Sequence, residues 1–209
     1  MGKIKKLLAD VELSRAKKRV LKAKKKPIHD ADRAFNDAYQ KFSAAANFDP
    51  ANAAVMHQWG LALLDHARIK GGSEANKFFK SACERFQAAL KLNPESAIIL
   101  NDWGATLMEQ ARQKSPKAAS PLYRKAKEKF NEVERLEPGL SAYNLACLHS
   151  LQGEQQECKK RLEQARDSGR LPSNKFLNSD EDLKPCRDEP WFKTFIESLT
   201  PKEDAPPST

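Results

Sequence analysis

The apolar positions of this chain fall at helical spacing and then recur as a block. Trp59, Leu63 and Leu64 make one run, and Phe79, Ala82, Phe86, Ala89 and Leu90 make the next. Spacings of three and four put each run on one helix face, so each block predicts two amphipathic helices. Ala38, Ala82 and Ala126 stand 44 residues apart, as do Phe42, Phe86 and Phe130, and Pro50, Pro94 and Pro138. Trp59-Gly60 and Trp103-Gly104 keep the same interval. A fixed period of this kind signals a repeat architecture, in which each unit buries its apolar face on its neighbours. The small residues let two backbones approach, and the Phe fills the space between hairpins. The Pro stops the second helix, because it lacks an N–H and biases the preceding residue away from helical geometry. Gly71-Gly72-Ser73 and Ser115-Pro116 read as turns between paired helices.

These positions resemble the tetratricopeptide repeat family. Its A-x-x-x-F-then-P signature is met by Ala38/Phe42/Pro50, Ala82/Phe86/Pro94 and Ala126/Phe130/Pro138. A fourth unit, with Asn144-Leu145-Ala146, Gly153, Cys158, Leu162 and Ala165, fits the family's shorter 34-residue form. The resemblance implies an all-α fold, a right-handed α-solenoid of antiparallel helix hairpins. The 44-residue units exceed the family period, and the extra residues fall at the turn between the two helices. Shared equally, they lengthen each helix by about 7.5 Å. HEAT repeats have units of this size, but they do not account for the Ala, Phe and Pro positions.

The expected layout is a basic segment at 1–27, the second helix of a degenerate first repeat at 28–50, and repeats at 51–94 and 95–138. A shorter repeat at 139–172, a closing segment at 173–200 and a disordered Pro-rich tail at 201–209 follow. Ile4, Leu7, Leu8 and Val11 form a stripe that predicts a helix within the basic segment, with a mobile basic arm as the alternative. Asp182-Leu183, Pro185, Arg187, Pro190 and Phe192 are similar to the D-L-x-P-x-R-x-x-P-x-F segment that closes bacterial arrays of the family. Trp191, Phe192, Phe195, Ile196 and Leu199 would cover the last hairpin's apolar face.

Charge changes the picture at one end. The net charge is +9, and residues 1–27 hold all of that excess, since the remainder is balanced. Lys17, Lys18, Arg19, Lys22, Lys24, Lys25 and Lys26 form a basic patch. It suits an anionic membrane surface or nucleic acid, or is a plain solvated helix face. Phe35 is the one aromatic near it, so base stacking has little support. No apolar run is long enough to span a membrane, and no signal core opens the chain, so the expected location is cytoplasmic. Cys83, Cys147, Cys158 and Cys186 are then free thiols.

Catalytic signatures are missing: there is no G-x-S-x-G, P-loop or H-E-x-x-H, so no catalytic residue is assigned. His29, His57, His66 and His149 lack ligand spacing, and the cysteines suit core filling, so no metal and no cofactor is expected. The resemblance implies a non-enzymatic protein-protein interaction module, a scaffold or adaptor, with no small-molecule substrate. In the family the first helix of each hairpin lines a concave groove. Carried over, the lining is His57, Gln58, Leu61 and Asp65, then Asn101, Asp102, Ala105, Met108 and Glu109, then Tyr143, Asn144 and Cys147. Asp65, Asp102 and Glu109 make that groove mildly acidic, which suits a neutral to basic peptide. The carboxylate clamp of chaperone-binding members lacks its cations, since His57, Leu61, Asp102, Leu140 and Asn144 stand at its places. The alternative is a peripheral membrane or nucleic-acid protein acting through the basic helix. A lower-ranked reading is an import-receptor-like binder of targeting peptides. Asn101-Asp102-Trp103-Gly104 is similar to a phrase in the plant outer-membrane receptor for mitochondrial presequences, whose repeats also carry insertions. That family anchors through a C-terminal membrane helix, for which this sequence has no apolar run.

Overall fold

The structure is a computed structural model that describes residues 2–199. The tail expected to be disordered, 201–209, lies outside the described residues. The elements are α1 (Gly2–Ala23), α2 (Ile28–Phe48), α3 (Ala53–Lys70), α4 (Gly72–Leu92), α5 (Ala97–Arg112), α6 (Pro116–Leu136), α7 (Ala142–Leu151), α8 (Gln155–Asp167), α9 (Asn174–Ser179), a 3-10 turn (Glu181–Cys186) and α10 (Pro190–Leu199). The chain divides into two compact units, Met1–Glu132 and Val133–Thr209, and α6 runs across the division.

The first unit is an all-α solenoid stack of antiparallel hairpins. α1 packs on α2 and α3 on α4, while α2–α3 and α4–α5 contacts join successive hairpins. The hairpins are tightest where a Gly faces a Phe. A Cβ built on Gly60 would lie 2.6 Å from the Phe86 ring, and one on Gly104 would lie 2.5 Å from the Phe130 ring. Only a bare backbone leaves room for the ring, so the Gly and the Phe are one packing device used twice. Ala38, Ala82 and Ala126 are fully buried beside it.

The extra length of these hairpins is helix on both sides of the turn. α3 and α4 have 18 and 21 residues, whereas α7 and α8 have 10 and 13. Gly71 and Gly72 adopt φ of 63° and 52°, so α3 passes almost directly into α4 through left-handed backbone that favours glycine. Pro116 opens α6, where its missing N–H has no helical partner to lose. α1 is a docked helix: Ala9, Ala16 and Ala23 are buried along it, and the nearly buried Glu12 receives Arg15 and, at 3.3 Å, Lys41 from α2.

Between α2, α3 and α4 the stack closes around His66, which is 2% exposed. Its ring lies between Phe35 and Phe78, with centroids 4.4 and 3.9 Å away. Nε2 meets Asp32 at 2.8 Å and Nδ1 meets the Tyr39 hydroxyl at 2.9 Å. A carboxylate can only accept, so Nε2 carries the proton and Tyr39 donates to Nδ1. Burial pushes the imidazole below its ordinary pKa, which keeps it neutral in this arrangement. Asp32 also accepts from Lys70 at 2.6 Å, and Lys70 and His66 together hold its carboxyl below the usual range. Lys70 reaches Glu74 as well, at 3.4 Å. Alongside, the Arg85 guanidinium lies 3.8 Å over the Trp59 ring.

In the second unit, Glu134 organises the entry to α7. It accepts from the backbone N–H of Gly139 (2.9 Å) and Ser141 (2.8 Å) and from Gln164 of α8 (2.5 Å). The 3-10 turn lies against α7, and Leu177, Leu183, Cys186 and Phe192 are the buried residues of the closing segment. Cys186 and Cys158 of α8 approach to 3.8 Å between sulfurs.

Candidate functional site

Stacking of the hairpins places α1 beside α3 along the first-helix face. A cavity of about 290 Å³ opens between them over Phe42 and Ala62. Its walls are Lys17, Val20, Leu21 and Lys24 of α1, and Gln58, Leu61 and Asp65 of α3. Part of the basic patch and part of the expected groove are therefore one surface. Lys24 and Asp65 join across it at 3.0 Å, and Leu21 stays 61% exposed at its rim. The 44-residue period contained this signal: Lys17, Leu21 and Lys24 are the counterparts of Leu61, Asp65 and Arg68. Of the remaining patch, Lys18 and Lys25 are exposed, and Arg19, Lys22 and Lys26 line a hollow with Asp30, Arg33 and Asp37.

Further along that face the charged groups answer one another between first helices. His57 of α3 meets Asp102 of α5 at 2.7 Å. Arg68 of α3 donates through Nε to Glu109 of α5 at 2.8 Å and through Nη1 to Asp65 at 3.3 Å. Glu109 raises the Arg68 pKa above its ordinary value. The three carboxylates expected to make the groove acidic are thus each engaged inside the chain, which leaves the face close to charge balance.

Gln58, Leu61, Asn101, Ala105, Tyr143 and Asn144 are half-buried, as a lining requires. Two expected lining residues are not placed so. Met108 and Cys147 are 2% and 3% exposed and belong to the core. Met108 stands one turn after Gly104 and shares the helix face that Gly104 turns to the Phe130 ring. Cys147 lies 3.8 Å from Asp180 of the closing segment, which also accepts from the Tyr143 hydroxyl at 2.5 Å. The closing segment therefore meets α7 at Tyr143 and Cys147, two of the three residues expected there as lining.

Among the described residues no group of three or more His, Cys, Asp or Glu is placed to hold a metal ion. No described helix is long and apolar enough to cross a membrane. A family model, the plant-specific mitochondrial import receptor subunit TOM20, matches residues 12–107, a stretch that begins in α1 and ends in α5. The crystal structure of MamA superposes with a TM-score of 0.37 at 15% identity, over 66% of this chain and 90% of that chain. No curated protein matches the sequence. The similarity to the import receptor subunit thus spans the α1–α3 cavity and the His57–Asp102 pair, and stops two residues short of Glu109.

Proposed function

We propose that this chain is a non-enzymatic interaction module, a scaffold or adaptor, that holds a partner segment along the first-helix face of α1, α3 and α5. The observation that carries the proposal is the α1–α3 cavity, where Leu21 and Leu61 stand at an opening across which Lys24 and Asp65 are already paired. Such a surface offers an incoming chain apolar contact with a few donors, Lys17 and Gln58 among them. That suits an amphipathic segment laid with its apolar side down. The similarity of residues 12–107 to an import receptor subunit supports a more specific reading, in which the segment is a targeting peptide. A cytoplasmic location, and the likeness of the closing segment to bacterial arrays, belong to the same proposal.

The test uses labelled amphipathic helical peptides of one apolar spacing, in neutral, basic and acidic versions, followed by fluorescence anisotropy. The neutral and basic versions bind, and Leu61→Asp weakens them by about tenfold or more. Equal binding to the parent and to Leu61→Asp sinks the reading.

A further inference from the structure

A second and larger cavity, of about 760 Å³, lies between α4 and α6 over α5. It is made of second-helix walls and so is not part of the surface proposed above. Trp103, Leu107, Leu122 and Cys83 give it an apolar interior. Lys77, Lys80, Lys114, Lys125 and Lys129 surround it, with Glu128 as the one carboxylate of the lining.

The 44-residue period explains both properties, because every lining position has a counterpart around His66. Cys83 stands where the earlier junction has Tyr39, Gln110 where it has His66, and Leu122 where it has Phe78. Three rings are replaced by three smaller or more flexible side chains while the helices keep their places, so ring-sized space is left open. What persists is the frame. Gln110 donates to Asn76 at 3.2 Å, as His66 does to Asp32, and Lys129 stands 5.0 Å over Trp103, as Arg85 stands over Trp59.

The charges have shifted in the same direction. Lys70 has two carboxylates, Asp32 and Glu74, whereas the counterparts around Lys114 are Asn76 and Ala118. Lys80 and Lys125 replace Asn36 and Ser81. No ion pair forms at Lys80, Lys114 or Lys125 among the described residues. The second junction thus lacks the aromatic rings and the acids that complete the first.

We infer that the α4–α5–α6 cavity is a docking site for an acidic segment of a partner protein, one that inserts an aromatic side chain over Trp103 and Leu107. Its carboxylates take up Lys114 on the floor and Lys80 and Lys125 on the walls. The partner supplies in trans what Tyr39, Phe78, Asp32 and Glu74 supply in cis one repeat earlier. Charge complementarity selects the acidic segment, and the emptied ring positions select the aromatic residue.

The experiment uses the full chain and a fluorescein-labelled peptide with a central Phe flanked on both sides by Glu. Matched peptides carry Ala for the Phe, Gln for every Glu, or Lys for every Glu. The Phe–Glu peptide binds, and each matched peptide binds about tenfold weaker or worse. Leu122→Phe, which restores the ring of the earlier junction, blocks the site without removing any charge, and Lys114→Glu with Lys125→Glu reverses the field. Both weaken the peptide about tenfold or more, while Leu61→Asp leaves it unchanged. Circular dichroism of each variant matching the parent shows that the loss is local. Equal binding of the Ala peptide overturns the inference, because charge alone then suffices. So does loss on Lys17→Glu with Lys24→Glu but not on Leu122→Phe, which places the peptide on α1. Self-association of the chain that Leu122→Phe abolishes also overturns it, by making a second copy the occupant.

Discussion

Two junctions in the first unit share one spacing and differ in how they are completed. Around α3, Tyr39, His66 and Phe78 interleave, and Asp32 bridges His66 and Lys70. Around α5, the same positions hold Cys83, Gln110 and Leu122, and a cavity of about 760 Å³ remains. The shared parts are those that set the helix approach: the Gly against its Phe, and the buried Ala. The differing parts lie farther out, where a repeat can lose volume and charge without parting its helices. A repeat array can thus turn a structural joint into a binding surface by substitution alone.

The largest expected contrast comes from cutting equivalent positions. His66→Ala removes a buried ring and takes the acceptor from the Tyr39 hydroxyl, at a cost of about 3 kcal/mol, whereas Gln110→Ala costs less than about 1 kcal/mol. Denaturant midpoints of the two variants measure this, and equal losses would erase the distinction between the junctions. Next comes the conversion of the open junction into the closed one. Cys83→Tyr, Gln110→His and Leu122→Phe together add about 1 kcal/mol of stability by filling the cavity, and they abolish binding of the acidic aromatic peptide. Thermal unfolding and anisotropy report the two effects separately.

Protonation sharpens the same comparison. Burial holds His66 below its ordinary value of 6.5, so the unfolded chain binds this proton first. Its contribution to stability is complete above pH 6.5 and falls as pH drops beneath that value, until the folded pKa is passed. The slope is at most about 1.4 kcal/mol per pH unit for one group. Asp32 acts in a lower window: Lys70 and His66 hold it below 3.8, so its contribution is present above pH 3.8 and is lost as pH falls through the folded value. His66→Gln, which copies the open junction, flattens the stability profile just below pH 6.5, as unfolding midpoints across pH will show. The smallest effect belongs to the cation–ring contacts. Arg85→Ala costs about 1 kcal/mol at 3.8 Å from Trp59, and Lys129→Ala about 0.5 kcal/mol at 5.0 Å from Trp103. A reversed order in a paired stability measurement would contradict the closer packing of the first junction.

The sequence by itself determined the repeat. Gly60, Gly104, Phe86, Phe130 and the buried Ala positions are legible because every long hairpin must satisfy the same close approach, and a shared requirement leaves a period. Helix length and turn position follow from the same local signals at Gly71, Gly72 and Pro116. The tertiary structure alone decided which polar groups meet. His57 and Asp102 are 45 positions apart and Arg68 and Glu109 are 41 apart, and neither pair announces itself by type or local spacing. It also decided that Met108 and Cys147 are core, that α1 shares a cavity with α3, and that an open cavity lies beside Trp103. The reason is physical: a period reports the positions all units hold in common, whereas charge pairing and free volume depend on where individual side chains depart from it.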